Sequence, residues 1–379
     1  MKKILLGTSA LLLAGMVSAS ADASNIKLSV GGYANWYTGY VGGNSAMKED
    51  ATLDDGSKGY ETVPIIGDVE IDFKGEVVLQ NGLKIGAVIE LSGISADKID
   101  TTEEGLSGGI KEDQSYVYID GAFGRFAIGK MDTISKQFHK ASKDVGLLGI
   151  QASDVGMLQP GFGVGMMNVS TDIRDWDDDA TLAYISPKFF GFTVAASYSN
   201  LDTDATRNME GNDVAYATTI AYNNTFGKVT LDANVSYARF DKAYTVYDDD
   251  DKVYTGWQEY AIATGVRVGV AGFTVGGGYK YQNGKDEQAD TNTFDIGVAY
   301  ETGPYGVSLS YINQTENNDY LWKDDEKVQM LLGSFAYNVT EGVDTFVSLA
   351  YIHYDDKDSI FGHDKEKAYI IATGMGLSF

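Results

Sequence analysis

The chain has 379 residues, with 54 acidic and 29 basic side chains and a formal net charge of −25. That balance excludes nucleic acid as a partner, because phosphate binding needs a basic surface. Cysteine is absent and proline scarce (4), whereas glycine (45) and tyrosine (25) are plentiful. No disulfide framework is available, and the composition favours continuous sheet over helices.

Residues 1–23 read as a secretory signal peptide. Lys2 and Lys3 form a positive start, Ile4 to Val17 an apolar stretch, and small residues offer cleavage after Ala21 or Ala23. Residues 24–379 are then one domain. No later run reaches the roughly 18–20 apolar residues of a spanning helix. An exported chain of this kind is periplasmic, secreted or a β-barrel.

Ile26 to Val30 alternate apolar with polar or small residues. Asp68 to Leu79 form the clearest two-faced strand: Val69, Ile71, Phe73, Val77 and Leu79 on one side, Asp68, Glu70, Asp72, Lys74 and Glu76 on the other. A soluble sandwich would bury the apolar side, and a barrel in lipid would turn it outward. Periodicity leaves both open. Gln80-Asn81-Gly82 is a tight hairpin signal, and the return strand carries Lys84 and Glu90 on its polar side.

From there short and long connections alternate. Seven are short, centred near residues 81, 122, 188, 225, 271, 304 and 340, and long acidic loops separate them. Seven turns pair fourteen strands, and the first and last strands bring the number to sixteen. An even number places both ends of the sheet on the short-turn side. The last strand, Tyr369–Phe379, alternates large and mostly small residues and ends on an aromatic ring. Ten tyrosines near strand ends read as rings at a lipid boundary: Tyr33, Tyr37, Tyr198, Tyr222, Tyr237, Tyr279, Tyr300, Tyr311, Tyr351 and Tyr369.

One connection, 133–178, is far longer than its siblings. It carries Phe138, Val145, Leu147, Leu148, Ile150, Met157, Leu158 and Phe162, so it packs on something. Gly163–Val169 is assigned to it rather than to a seventeenth strand.

The signal, the opening I-K-L-S-V-G-G-Y, the hairpin Asp120–Lys130, the long third loop and the terminal Phe379 together resemble the general diffusion porins of Gram-negative bacteria. The resemblance implies an all-β fold: a transmembrane antiparallel barrel of sixteen strands in the outer membrane, assembled as a homotrimer, with loop 133–178 folded into the lumen. It implies passive diffusion of small hydrophilic solutes, and contact with outer-membrane lipid and lipopolysaccharide. In such porins loop acids face basic wall residues across a constriction. The candidates here are Asp144 and Asp154 on the loop, and Lys74, Lys84, Arg125, Glu70 and Asp72 on the wall. Alternation also turns Lys27, Arg267 and Lys280 inward, beside the acids Glu76, Glu90, Asp232, Asp295 and Glu301. The acidic excess predicts a mild cation preference. A channel specific for one solute and a surface barrel acting as an adhesin are the alternatives.

Asp177, Asp178 and Asp179, and Asp248, Asp249 and Asp250, could hold calcium loosely, though neither run has the spacing of a dedicated calcium loop. Solvated acidic loops, or divalent bridges to lipopolysaccharide phosphates, account for them as well. No cofactor is expected. His139, His353 and His363 have no recognisable nucleophile motif beside them, so no enzyme is expected either.

Overall fold

In a computed structural model, the structure describes residues 26–44, 62–96, 111–149, 169–174, 179–200, 214–241, 244–247, 253–285, 290–317, 326–355 and 365–379. The expected signal peptide lies outside them, as does the Gly163–Asn168 part of the stretch weighed as a further strand.

Among the described residues, seventeen strands and one short helix follow in order. The strands are β1 (Lys27–Gly43), β2 (Ile65–Val78), β3 (Lys84–Ala96), β4 (Lys111–Gly121) and β5 (Gly124–Lys130). After helix α1 (Ile134–Phe138) come β6 (Ala180–Ile185), β7 (Phe192–Asn200), β8 (Val214–Phe226) and β9 (Val229–Asp241). Then come β10 (Tyr244–Tyr247), β11 (Val253–Val270), β12 (Phe273–Lys285) and β13 (Asp290–Thr302). The chain ends with β14 (Tyr305–Asn317), β15 (Glu326–Thr340), β16 (Val343–Asp355) and β17 (Lys365–Ser378).

Every ladder is antiparallel, and β1 pairs with both β2 and β17, so the sheet closes on itself. β9 pairs directly with β11, while β10 prolongs the β9 side of that hairpin, with Tyr244–Tyr247 opposite Val253–Gly256. Sixteen strands therefore close the barrel, the number given by the seven short turns. Within the Asp241–Thr255 connection, expected as loop throughout, Tyr244–Tyr247 and Val253–Thr255 instead pair as strands. Closure leaves no edge, which matters in hydrocarbon, where an unpaired backbone group costs several kcal/mol. At the seam, Gly32 and Phe379 exchange both backbone hydrogen bonds, at 3.1 and 3.0 Å. Both ends of the sheet thus lie on the rim of the short turns. The β11–β12 turn takes positive φ at Ala271 (52°) and Gly272 (88°), the form that suits the strand twist.

Sidedness decides between sandwich and barrel. Ile371 is 50% exposed, whereas its neighbours Ile370 and Ala372 are buried. The same inversion runs round the wall: Leu349, Leu309, Val298, Val275, Ile220 and Ile128 face out, while Ser348, Ser308, Ala299, Thr219 and Ala127 face in. A water-soluble protein does not expose a continuous apolar belt of this size; a barrel in lipid must. Rings bound the belt on both sides. Phe126–Tyr184, Phe192–Tyr222, Phe273–Tyr300 and Tyr305–Tyr337 lie toward the short turns. Tyr40–Tyr369, Tyr198–Tyr216, Phe294–Tyr311 and Tyr237–Tyr260 lie toward the other rim. Two of the expected boundary tyrosines are elsewhere. Tyr37 faces inward, buried edge-on against Phe346, and Tyr33 turns its hydroxyl to the inner acids Asp68 and Glu70. No helix among the described residues is long and apolar enough to cross a membrane.

Candidate functional site

The residues that follow β5 meet the inner wall in three successive ways. The first is apolar. Thr133 caps α1, its Oγ1 accepting from the Lys136 backbone N–H (3.1 Å) and donating to the Ile173 carbonyl (2.7 Å). Lys136 pairs with Asp132 one turn back. Met131, Ile134 and Ile173 then pack on a bed of inward alanines: Ala183, Ala195, Ala215, Ala217, Ala238, Ala261 and Ala263. Small side chains on β6–β11 leave the depth a helix needs.

The second contact is a buried polar clamp. Arg267 of β11 donates to the Ala141 and Ser142 carbonyls. Asp295 of β13 accepts from the Ser142 N–H and, at 2.6 Å, from the Thr171 hydroxyl. The Lys140 N–H donates to Asn234 Oδ1 (3.0 Å), and Lys280 reaches Ser170 (3.3 Å). Because Thr171 gives its proton to Asp295, His139 Nε2 donates to Thr171 Oγ1 (2.9 Å), and Nδ1 is left to accept from Asn234 (3.4 Å). That assigns a neutral imidazole with the proton on Nε2. Burial lowers the His139 pKa to about 4, against the opposing pull of Asp172 and Asp295. Burial would raise the Asp172 carboxyl, but the two-pronged Arg174 beside it (2.7 and 2.8 Å) holds it well below the usual range. Thr171, fully buried and hydrogen-bonded to Asp295, is a clamp rather than a nucleophile.

Two cross-strand glycines, Gly265 on β11 and Gly278 on β12, make this close approach possible. A Cβ at Gly265 would stand 2.2 Å from the Lys140 carbonyl oxygen, and one at Gly278 2.5 Å from Thr171 Oγ1.

The third contact returns to apolar packing. Lys143 pairs with Glu301, and Ser308 donates to Asp144, whose Oδ1 also accepts from the Val145 N–H. Val145, Leu148 and Val169 join Ile312, Met330, Leu332, Ile352 and Ile370 in one buried cluster against β14–β17.

The β2–β5 wall is charged and aromatic. Toward the short turns, the Tyr118 hydroxyl donates to Glu76 (2.6 Å), and the Arg125 guanidinium lies over the Tyr118 ring at 4.4 Å while pairing with Asp120. Lys74 pairs with Glu76 at 3.3 Å. Farther along stand Glu70, Asp72 and Glu90, all buried, with Asp72 directly opposite Glu90. Gln114 Nε2 donates to Glu90 at 2.6 Å, and its Oε1 accepts from the Asp132 N–H, tying the wall to the segment's start.

The constriction candidates fall in three places. Glu70 and Asp72 stand together; Lys74 and Arg125 meet around Tyr118, while Lys84 lies on the same wall opposite Asp120. Asp144 lies apart from these, against β14, where the Ser308 hydroxyl donates to it. Asp154 is outside the described residues, as are Asp177, Asp178, Asp248, Asp249 and Asp250. Asp179 lies just ahead of β6, its carbonyl accepting from Thr181. Sequence reasoning missed the clamp. Arg267 and Lys280, expected as inward wall cations, serve the segment, and the facing glycines were the available signal. It also missed Asp113, whose carboxylate lies with those of Glu70 and Glu90, all within 4.8 Å of one another.

A family model described as Gram-negative porin matches residues 7–357. Among solved structures, the outer membrane channel DcaP of Acinetobacter baumannii is similar at 14% identity and TM-score 0.61, over 93% of this chain and 97% of that one. OmpT, an outer membrane protein of Vibrio cholerae, is similar at 13% identity and TM-score 0.59, over 97% and 100%. A porin structure refined at 1.8 Å is similar at 15% identity and TM-score 0.56, over 93% and 100%. No curated protein matches the chain.

Proposed function

We propose that this chain, which belongs to the Gram-negative porin family, works in the outer membrane as a water-filled channel through which small hydrophilic solutes and ions diffuse passively, with a mild preference for cations. The observation that carries the reading is the inverted sidedness of a closed sixteen-stranded barrel: lipid-compatible outside, charged inside. Barrels of this strand number are wide enough for an aqueous path.

On this reading the 133–178 segment narrows the lumen, and its clamp holds that narrowing to one side. Inward acids Asp68, Glu70, Asp72, Glu76 and Glu90 then lie along one wall of the path and raise the local cation concentration. The charges of Arg267 and Lys143 are taken up by contacts with the segment and the wall, which favours an acidic field. The task is filtration, not catalysis. A homotrimer is proposed by analogy with OmpT of Vibrio cholerae, one form of which is described as a trimer. Export through the periplasm and contact with lipopolysaccharide belong to the same proposal.

Swelling of liposomes that carry the refolded protein tests it. Entry rates should fall smoothly with solute size and show no saturation. Saturable entry of one solute class would point instead to a specific channel. No entry through a folded barrel would point to an adhesin.

A further inference from the structure

We propose that the inner wall holds a divalent-cation site, of calcium type, formed by Glu70 of β2, Glu90 of β3 and Asp113 of β4, with Asp72 beside them. The placement begins with the register. Between Ile89 and Leu91 the β3–β4 pairing slips, so that Glu90 alone stands opposite both Asp113 and Gln114. A bulge of this kind re-aims a side chain. By simple alternation Asp113 would follow Ser115, Val117 and Ile119 on the outer face. The bulge brings it inward instead, where its carboxylate joins those of Glu70 and Glu90.

A second observation points to a ligand. Glu70 and Asp72 are 7% and 5% exposed, and Glu70 Oε1 and Asp72 Oδ1 are buried with no hydrogen-bond donor. A buried carboxylate oxygen without a partner is costly and rare, and needs an explanation such as an ion. The Tyr33 hydroxyl donates to the other Glu70 oxygen, at 3.5 Å.

Geometry and chemistry favour calcium. Three carboxylates are hard anionic ligands, and oxygens up to 4.8 Å apart fit opposite sides of an ion bound at about 2.4 Å. Magnesium, with ligands at about 2.0–2.1 Å, needs a tighter cage. Gln114 holds Glu90 in place from behind, as outer-shell groups do. Bound calcium would neutralise much of the acidic wall and so lower the cation preference; only that consequence rests on the channel reading.

Calorimetric titration of Ca²⁺ into the refolded full-length protein in detergent tests the site without any current being measured. The expected result is saturable binding at one site per chain, with a dissociation constant below about 10⁻³ M. Glu70→Gln and Asp113→Asn should each weaken it by about tenfold or more. A triple variant of the acidic run, Asp248→Asn, Asp249→Asn and Asp250→Asn, should leave it unchanged. Heat-modifiable migration on gels confirms that each variant is folded. Should Glu70→Gln not fold, Asp113→Asn carries the test alone. Absence of saturable binding would overturn the site and favour a proton shared between Glu70 and Asp72. Binding that survives both wall variants would equally overturn it.

Discussion

Replacing Gly265 with alanine tests how the segment after β5 is held. The added Cβ would stand 2.2 Å from the Lys140 carbonyl oxygen and 2.8 Å from its carbon, both backbone atoms that cannot swing aside. Ordinary contact begins near about 3.5 Å, so the segment must retreat by roughly 1 Å. That movement breaks or stretches the Lys140–Asn234 hydrogen bond and the two that Arg267 gives to Ala141 and Ser142. A neutral bond contributes about 1 kcal/mol and a charged one about 1.5–3 kcal/mol; with partial relaxation the loss comes to ~3–5 kcal/mol. The undocked population should rise by a factor on the order of 10²–10⁴. Tryptic cleavage after Lys140 and Lys143 of the folded barrel reads that population, with Gly333→Ala as the control. At Gly333 a Cβ meets nothing nearer than 3.7 Å. Equal cleavage rates in Gly265→Ala and wild type would refute the claim that the wall glycine seats the segment.

Acid should loosen the same segment. Burial keeps His139 near pKa 4 when docked, against about 6.5 when released. From about pH 6.5 down to about pH 4 the released state binds the extra proton, so docking weakens by up to ~3 kcal/mol as pH falls. The charged groups around His139 are Asp172, Asp295, Arg267 and Lys140. Asp172, whose carboxyl sits below its usual range, adds its own loss only below about pH 4. His139→Gln should flatten the protease-sensitivity profile between pH 6.5 and 4; a profile unchanged by that substitution would contradict the assignment. On the lipid face, Leu349→Arg in mid-β16 should cost about 2–4 kcal/mol in urea unfolding from vesicles. A cost under about 1 kcal/mol would mean that this face is not in hydrocarbon.

Strand number was legible because short turns are written in local residues such as Asn81-Gly82 and Ala271-Gly272. Which face of a strand meets lipid was not: Val69 and Phe73 alternate with Glu70 and Asp72 in either architecture, and it takes the closed sheet with its apolar face outward to decide it. Inward residues could be listed by counting in twos, which placed Glu70, Glu90, Arg267 and Asp295 correctly. Counting in twos fails at a bulge, and that hid Asp113. Partners of the long segment were invisible because the contacts join residues some 90 to 160 apart in the chain, such as Lys140 with Asn234 and Ser142 with Asp295. The hydrophobic residues Val145 and Leu148 announced that the segment packs, but not on which strands.

Single-channel recording of the refolded protein in a planar bilayer under a salt gradient tests the central claim most directly. Large ohmic conductance steps, with a reversal potential of the sign for cations, are the predicted result. A folded, heat-modifiable barrel that inserts and passes no current, or one whose reversal potential favours anions, would contradict an open channel with an acidic path.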